Sequence, residues 1–373
     1  MAACGAGALP SSHSRHTPTQ VPSAATTATP IATPTIVPTP SPTAVPTPLP
    51  EPPLAVLSQG QEVEVVNGQG VEQWRLTNAQ EGQFFGLTAQ QANSPDFEVN
   101  AKEGGTDLFL FYQKLNTTIT KVAVVSRTGK LLGMVTLPSL PYYAFVVSPT
   151  GAEWAWSLDQ TPTLETKHYG VVQVGGLGEA NRTVYHWVAP VGFYEQMAGW
   201  TNSGIIMQRY EYGGCGIFDP AAAWFTINPS TGDLTELFTG NDQFLGASSG
   251  VTVAALINDA HAVLINGVDY SESKSTIVGA IISPDGANVA VSRISDYGGC
   301  AGYTPKNTVE MVTLANQSHV DLQNLTAVGW WGDDQFIANT LSGNTWLYTL
   351  QGKTVSEICA ASSPWTFAGV LTG

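Results

Sequence analysis

The stretch AIISPDGANVAVS at residues 280–292 is the clearest guide to the architecture of this chain. An apolar run enters Ser-Pro-Asp-Gly, a combination typical of a tight turn, and a second, alternating apolar run leaves it. A similar stretch, FVVSPTGAEWAWS, occurs at residues 145–157, and Ser148 and Ser283 occupy the same place in the two stretches. The chain therefore contains an internal repeat built on a strand–turn–strand unit.

A second pair of matching stretches gives the length of the repeat. AGWTNSGIIMQ at residues 198–208 resembles VGWWGDDQFIANT at residues 328–340, with Gly199 and Gly329 as the shared glycines. The separation of the two serines and that of the two glycines both correspond to three repeats of roughly 40–45 residues, which is the length of a four-stranded propeller blade.

Seven hairpin patterns accompany these repeats. In each, an apolar or alternating run meets a turn rich in Gly, Asn or Ser, residues that supply the positive φ such turns need, and a second run follows. The patterns span 63–76, 121–137, 169–188, 223–238, 262–271, 310–322 and 346–358. We therefore predict an all-β fold, a β-propeller of about seven four-stranded blades, with six blades or a two-sheet sandwich array as the alternatives.

The turn motif resembles the WD-repeat-like propeller repeats of periplasmic TolB-like proteins. Ser283-Pro284-Asp285-Gly286 matches that repeat fully, whereas the earlier copy has Thr150 in place of the Asp. The resemblance is strong in about two blades and diffuse over residues 60–365, and it implies a propeller over residues 54–373. In such a ring the C-terminal run WTFAGVL (365–371) is expected to complete the first blade.

The N-terminal lead, 1–16, contains a possible anchor. Met-Ala-Ala-Cys-Gly places small residues before Cys4 and a Gly after it, which resembles the lipobox of bacterial lipoproteins. That resemblance implies lipidation of Cys4 and attachment to the membrane through the lipid alone. Only three residues precede Cys4 in this sequence, whereas a lipobox follows a charged and an apolar segment. The alternative is an incidental cysteine in a disordered lead.

Residues 17–53 predict a disordered Pro/Thr-rich linker. Thirteen of the 24 prolines lie before residue 54, and proline locks φ and removes backbone donors, so neither helix nor sheet is expected. An extended polyproline II segment rises about 3.1 Å per residue. Such tracts resemble the stalks of surface proteins. We therefore expect an extracytoplasmic protein, either a membrane-anchored lipoprotein or a secreted one.

Composition limits the partners. The net charge is −15, and Arg15 and Glu51, the charged residues of the first 53, cancel, so the folded part carries all of it. Phosphate backbones repel such a surface, and we expect no nucleic-acid partner. None of the four cysteines forms a zinc-type spacing. We predict no metal, no cofactor and no catalytic set; the partner class is a protein or a polysaccharide of the cell envelope.

Two copies of Tyr-Gly-Gly-Cys form the most informative local feature. Tyr212 to Cys215 follows Glu211, and Tyr297 to Cys300 follows Asp296. Each copy comes after a predicted strand, so both are expected in equivalent loops two blades apart, between second and third strands. We predict a disulfide between Cys215 and Cys300 and ligand-binding roles for Glu211, Tyr212, Asp296 and Tyr297. Pairing with Cys359, or free thiols, are the alternatives.

The ten tryptophans predict ring packing between blades. Large flat side chains fill such interfaces well, whereas exposed rings would suit the stacking of sugars. Trp330 and Trp331 are the exception, because neighbouring strand residues face opposite ways. We predict that one of the two is exposed, and both become candidates for ligand binding.

These features favour a binding or scaffold module over an enzyme. The alternative is an extracytoplasmic glycan lyase or hydrolase with carboxylates such as Glu211, Asp285 and Asp296 at one propeller face. Residues 246–250 satisfy the GxSxG pattern of hydrolases, but that motif requires a strand-to-helix elbow, and here a strand is expected to follow.

Overall fold

The computed structural model describes most of the chain from residue 51 onward, and Pro50–Gly373 forms one compact unit. The described residues are 51–59, 62–85, 97–114, 119–140, 145–160, 167–190, 193–211, 221–239, 242–248, 250–256, 259–270, 275–295 and 306–372. The predicted lead and linker (1–16 and 17–53) lie outside them, except for residues 51–53.

Blades 1 to 4 come first along the chain. Their strands, and the one α-helix of the described residues, are β1 (Leu54–Gln59), β2 (Glu62–Val66), β3 (Glu72–Leu76) and α1 (Asn78–Phe85); β4 (Phe97–Gly104), β5 (Asp107–Lys114), β6 (Ile119–Val125) and β7 (Leu131–Leu140); β8 (Phe145–Val147), β9 (Glu153–Asp159), β10 (Lys167–Gly176) and β11 (Arg182–Pro190); β12 (Phe193–Thr201), β13 (Gly204–Glu211), β14 (Ala221–Ile227) and β15 (Leu234–Thr239).

Blades 5 to 7 follow, and the last strand returns to blade 1. Their strands are β16 (Asp242–Ser248), β17 (Val251–Leu256), β18 (Asp259–Ile265) and β19 (Val268–Asp269); β20 (Thr276–Ile282), β21 (Asn288–Ser295), β22 (Lys306–Thr313) and β23 (Ser318–Gln323); β24 (Leu325–Trp331), β25 (Gln335–Thr340), β26 (Thr345–Thr349) and β27 (Thr354–Cys359); and finally β28 (Thr366–Leu371). The described residues thus form seven four-stranded antiparallel sheets, each in sequential strand order except blade 1. The predicted seven-bladed propeller is confirmed.

Blade 1 closes the ring by combining both ends of the folded chain. Its strand order is β28-β1-β2-β3, and Leu54 pairs with Leu371 and Ala55 with Val370. The expectation that the C-terminal run completes the first blade is therefore confirmed. Closure gives every blade a neighbouring blade on each side, and the sheet edges that remain are the first and last strands of the blades.

Arg127 fastens this closure. It lies in the turn between β6 and β7 of blade 2, and its side chain is 11% exposed. Its guanidinium forms an ion pair with Glu51 at 2.9 Å and donates to the carbonyls of Pro52, Leu371 and Thr372. The planar guanidinium of Arg127 therefore binds both the residues that precede β1 and those that end β28.

The two faces of the ring carry different connections. The turn face carries the turns between first and second strands, such as 283–287, and between third and fourth strands, such as 314–317. The loop face carries the connections between second and third strands, such as 212–220 and 296–305, and those between blades. Because β1 begins and β28 ends beside Arg127, both ends of the folded chain lie on the turn face.

Inner strands of five blades share a glycine at a β-bulge. The register shifts on β12, β16, β20 and β24 fall just before Gly199, Gly246, Gly279 and Gly329, and Ala368–Gly369 interrupt the register on β28. The sequence matches between 198–208 and 328–340 reflect this bulge. A bulge bends and twists a strand locally, which suits the crowded inner strands of a closed ring.

Tryptophans fill the spaces between blades, as predicted. Trp154 and Trp156 are nearly or fully buried, and Trp154 meets the Phe109 ring edge-on at 6.0 Å between centroids. The exposure predicted for one of Trp330 and Trp331 is wrong, because each is only 8% exposed. Their rings do face opposite ways, but Trp330 enters the core between blades 6 and 7 and Trp331 the core between blades 7 and 1. A blade is covered on both faces, so alternation does not bring either ring to the surface.

Candidate functional site

The Ser-Pro-x-Gly turns are structural elements of the turn face. In blade 6, Ser283 Oγ accepts from the Asn288 amide at 2.9 Å and lies 2.6 Å from Asp285, which also accepts from the Ala287 amide. In blade 3, Ser148 and Thr150 make the corresponding contacts at 3.1 to 3.4 Å. Gly151 and Gly286 both have φ 73°, a value that favours glycine. The Asp285 carboxylate is therefore engaged in shaping its own turn.

The strands around the two Tyr-Gly-Gly-Cys segments lie where the sequence predicted. Residues 212–220 separate the second and third strands of blade 4, and residues 296–305 separate those of blade 6. Both segments therefore connect strands at the loop face, two blades apart. Cys215, Cys300, Tyr212, Asp296 and Tyr297 lie outside the described residues, as does the side chain of Glu211 at the end of β13. The disulfide and the ligand-binding roles stay predictions.

Cys359 is a buried free thiol. Its Sγ donates to the Trp365 carbonyl at 3.1 Å, and burial raises the pKa of the thiol. A raised pKa keeps the thiol protonated, and protonated thiols are poor nucleophiles. Cys359 therefore forms no disulfide in this structure, and the alternative pairing with Cys215 or Cys300 is not seen.

A buried ion pair precedes the first of the two loop-face segments. Arg209, on β13, lies opposite Glu195 on β12, and its Nε and Nη2 both donate to Glu195 Oε1, Nε at 3.0 Å. The Glu195 side chain is fully buried, whereas that of Arg209 is 36% exposed. Burial raises the pKa of the Glu195 carboxyl, and Arg209 opposes the rise.

The Tyr185 hydroxyl, from blade 3, lies beside the same carboxylate. Burial, followed by the negative charge of Glu195, raises the pKa of Tyr185 to about 12. Its ring also meets Phe225 of blade 4 edge-on at 5.8 Å. The pair between Glu195 and Arg209 therefore joins blade 4 to blade 3 as well as β12 to β13.

A second and more deeply buried pair precedes the other segment. Arg293, on β21, donates through Nε to Glu310 on β22, and the two side chains are only 1% and 3% exposed. His319 Nδ1 lies 2.7 Å from the second oxygen of Glu310, and the Tyr270 ring of blade 5 lies 5.9 Å from the His319 ring. Burial of charge is tolerated only when partners satisfy it, and this carboxylate has partners on both oxygens.

Sequence reasoning missed these arginines although a signal was present. Arg209 stands three residues before Tyr212, and Arg293 stands four residues before Tyr297. The two Tyr-Gly-Gly-Cys segments therefore share an arginine at nearly the same distance on the preceding strand. The glutamates gave no such signal, because one precedes its arginine by 14 residues and the other follows by 17.

Other chemistry-bearing groups do not assemble into a site within the described part of the chain. No group of three or more His, Cys, Asp or Glu side chains there could hold a metal ion. None of its helices is long and apolar enough to span a membrane. Ser248, the serine of the GxSxG pattern, ends β16, and Gly250 leads directly into β17. The strained strand-to-helix elbow of a hydrolase is therefore not formed there.

Comparisons with known proteins agree on the fold alone. No family model and no curated protein matches this sequence. The C-terminal WD40 domain of Sif2 is 10% identical, with 86% of this chain and 83% of that chain covered and a TM-score of 0.44. Hydrazine synthase of Kuenenia stuttgartiensis is 14% identical, covering 68% and 76%, with a TM-score of 0.43.

A further structural match is prolyl oligopeptidase B from Galerina marginata. It is 8% identical, with a TM-score of 0.50, and the match covers 86% of this chain but only 51% of that protein. The present chain therefore corresponds to about half of the oligopeptidase. At such identities the likeness is one of architecture alone.

Proposed function

We propose that this protein is an extracytoplasmic binding module, tethered at its N-terminal end, that presents its loop face to a protein or polysaccharide of the cell envelope. The observation that carries the proposal is the separation of the two faces. Arg127 holds Glu51 and Pro52 at the turn face, where the folded part begins. A tether that precedes residue 51 leaves the opposite, loop face free for a partner.

The paired segments on the loop face supply the recognition surface in this proposal. Tyr212, Tyr297 and their acidic neighbours Glu211 and Asp296 belong to connections between second and third strands, two blades apart. Tyrosine provides a large contact area with a polar tip and is enriched at binding sites. The ion pairs at Arg209 and Arg293 fix the strands from which these segments start.

Cross-linking pull-down from native envelope extract tests the choice of face. The full-length chain serves as bait, compared with Tyr212→Ala/Tyr297→Ala on the loop face and Ser230→Ala/Lys353→Ala on the turn face. We expect the loop-face variant to lose the captured protein or glycan and the turn-face variant to retain it. Capture that survives the loop-face change and disappears with the turn-face change would show that the face is wrong.

The tether has a separate test. In a bacterial host, Cys4→Ala is expected to abolish incorporation of an alkyne-labelled fatty acid and to move the protein from the membrane to the soluble fraction. Labelling that is absent from the unaltered protein, or that persists in Cys4→Ala, would remove the lipid anchor from the proposal. The recognition surface would then remain to be judged on the pull-down alone.

A further inference from the structure

The seam between blades 4 and 5 differs from the other seams of the ring. Among the described residues, its apolar cluster consists of Ile206 and Trp224, with Leu237 and Ala247 packed against it. The clusters between the other blades within the described residues contain eight or more buried residues. The seam also contains open space.

That space is a cavity of about 320 Å³. Two β-bulges form one wall, with Gly199 on β12 and Gly246 and Ala247 on β16. Residues directly opposite each other in an antiparallel pair face the same way. Gly199 lies opposite Ile206, and Gln208 lies opposite Trp224. Because the residues at the bulges are small, no large side chain from these positions fills the seam.

Gln208 is the polar group of this cavity. The residue is 5% exposed and lines the cavity. A carboxamide that lines a cavity can bind water or a ligand there. A carboxamide offers one acceptor and two donors, and a second amide satisfies both kinds at once.

The end of the seam nearest the turn face is rich in hydroxyl groups. A smaller cavity of about 40 Å³ shares Thr201, Ile206 and Ala247 with the larger one and reaches the turn face. Its hydroxyl-bearing residues are Thr201, Ser203, Thr226, Ser248 and Thr252. None of the described residues that line either cavity is charged. Hydroxyl groups both donate and accept, which matches a neutral ligand that is itself rich in hydroxyl groups.

We propose that the seam between blades 4 and 5 binds one N-acetylated sugar ring. The acetamido group pairs with the Gln208 carboxamide, the ring packs against Ile206 and Trp224, and ring hydroxyls reach the hydroxyl groups at the turn face. The volume lies at the lower end of ligand sites, about 300–1,000 Å³, which suits one ring rather than a chain. The site is separate from the loop face, so the two proposals succeed or fail independently.

The test uses full-length protein and N-acetyl-D-glucosamine, with binding followed by saturation-transfer NMR and calorimetry. We expect millimolar binding to the unaltered protein, and binding of D-glucose weaker by about tenfold because the amide pair is lost. Gln208→Met, which keeps the side-chain size, is expected to weaken N-acetyl-D-glucosamine by about the same factor.

A variant that fills the cavity with a side chain gives a second test of sugar binding. A Cβ added at Gly199 meets nothing within 4 Å, and the residue lies outside the left-handed region, so Gly199→Leu places its side chain in the cavity without backbone strain. Gly279, at the same bulge position in blade 6, also has open space, and Gly279→Leu is the matched control. We expect Gly199→Leu to abolish sugar binding and Gly279→Leu to preserve it, with both variants retaining a cooperative thermal transition.

Several outcomes would overturn the proposal. One is the absence of N-acetyl-D-glucosamine binding to the unaltered protein; another is binding that Gln208→Met and Gly199→Leu both leave unchanged. A third is equal or tighter binding of N-acetyl-alanine-methylamide, since an amide without a sugar ring would then explain the site as one for peptide. Loss of pull-down by Gly199→Leu would show that the seam and the loop face are not separate.

Discussion

Blades 4 and 6 both contain an ion pair between an arginine of the second strand and a glutamate. Each carries an arginine on its second strand, shortly before Tyr-Gly-Gly-Cys, and each arginine meets a buried glutamate. In blade 4 the glutamate is Glu195 on the first strand, whereas in blade 6 it is Glu310 on the third. Relative to the residue opposite the bulge glycine, Arg209 lies three positions beyond Ile206, whereas Arg293 lies one position beyond Ser292. The two ion pairs therefore lie at different places within their blades, and what they share is a buried glutamate whose charge an arginine balances.

The two pairs also differ in access to water. The Arg209 side chain is 36% exposed, but that of Arg293 is 1% exposed and shares its glutamate with His319. A charge with access to solvent can be hydrated when its partner is lost, whereas a sealed one cannot. The comparison therefore predicts that loss of one partner of the ion pair destabilises the protein more in blade 6 than in blade 4.

Removing the blade 6 anion should have the largest effect. Glu310→Ala leaves the Arg293 guanidinium buried without its carboxylate, and we expect a loss of about 3–5 kcal/mol in the free energy of unfolding. Urea denaturation measures it. Glu236→Ala, at an exposed glutamate on the fourth strand of blade 4, is the control and should change stability by less than about 0.5 kcal/mol. Equal effects of the two changes would contradict the difference in burial.

A disulfide between blades 4 and 6 would couple the two repeats directly. If Cys215 and Cys300 are bonded, reduction should lower the free energy of unfolding by about 2–4 kcal/mol, because the open chain gains entropy when unfolded. Urea denaturation with and without a phosphine reductant measures the loss. Cys215→Ser should already show it and should not respond to the reductant. Peptide mapping that finds both cysteines as free thiols would refute the bond.

Removing the blade 4 cation should have a smaller effect that depends on pH. Because the folded pKa of Glu195 is already raised, its contribution is complete below the ordinary glutamate pKa and is lost as pH rises through the folded value. Arg209 opposes the rise in the Glu195 pKa. Arg209→Met should therefore raise this pKa further, so that the loss of stability becomes larger and occurs at higher pH. We expect a cost of about 1–3 kcal/mol at pH 8 and a smaller one near pH 4.

The control for that prediction is Glu195→Gln, which cannot ionise. Its free energy of unfolding, measured by urea denaturation at several pH values, should lack this dependence between the ordinary and the raised glutamate pKa. If Arg209→Met lost more stability at pH 4 than at pH 8, the direction of the Glu195 shift would be wrong.

The turns of the two blades should show the smallest difference. Asp285→Ala in blade 6 removes the acceptor for Ser283 Oγ and the Ala287 amide, at 2.6 and 2.9 Å, and should cost about 1 kcal/mol. Thr201→Ala in blade 4 removes two longer contacts, the acceptor for the Ser203 amide at 3.2 Å and the donor to the Gly204 carbonyl at 3.4 Å, and should cost roughly half as much. Thermal and urea unfolding would rank the two, and a larger cost for Thr201→Ala would reverse the ranking.

Much of the fold followed from local patterns. Alternation marks a strand wherever one face meets a core, and Ser-Pro-Asp-Gly or Asn-Gly marks a turn because few other residues adopt those backbone angles. The strand repeat, the blade count and the completion of blade 1 by residues 365–371 were therefore predictable. The eight-residue helix α1 was not, because a helix so short leaves little periodic signal; Thr77 and Gln80 cap its start.

The candidate site was less predictable, for a physical reason that the tryptophans illustrate. Strand alternation correctly placed Trp330 and Trp331 on opposite faces, but it could not show that a neighbouring blade covers each face. The same limit applies to Glu195 and Glu310, whose partners come from other strands, and to the seam between blades 4 and 5. Each depends on which surfaces meet when the ring closes.

Local chemistry thus determines the strands, their turns and the equivalence of the two Tyr-Gly-Gly-Cys segments, since each is written within a few consecutive residues. Ring closure decides the rest. Arg127 meets Thr372 across 245 residues, Glu195 becomes buried against Tyr185 of the neighbouring blade, and Gln208 is left facing a cavity. Such contacts join residues far apart in the chain, and their energies come from burial and desolvation, which exist only once the blades have packed together.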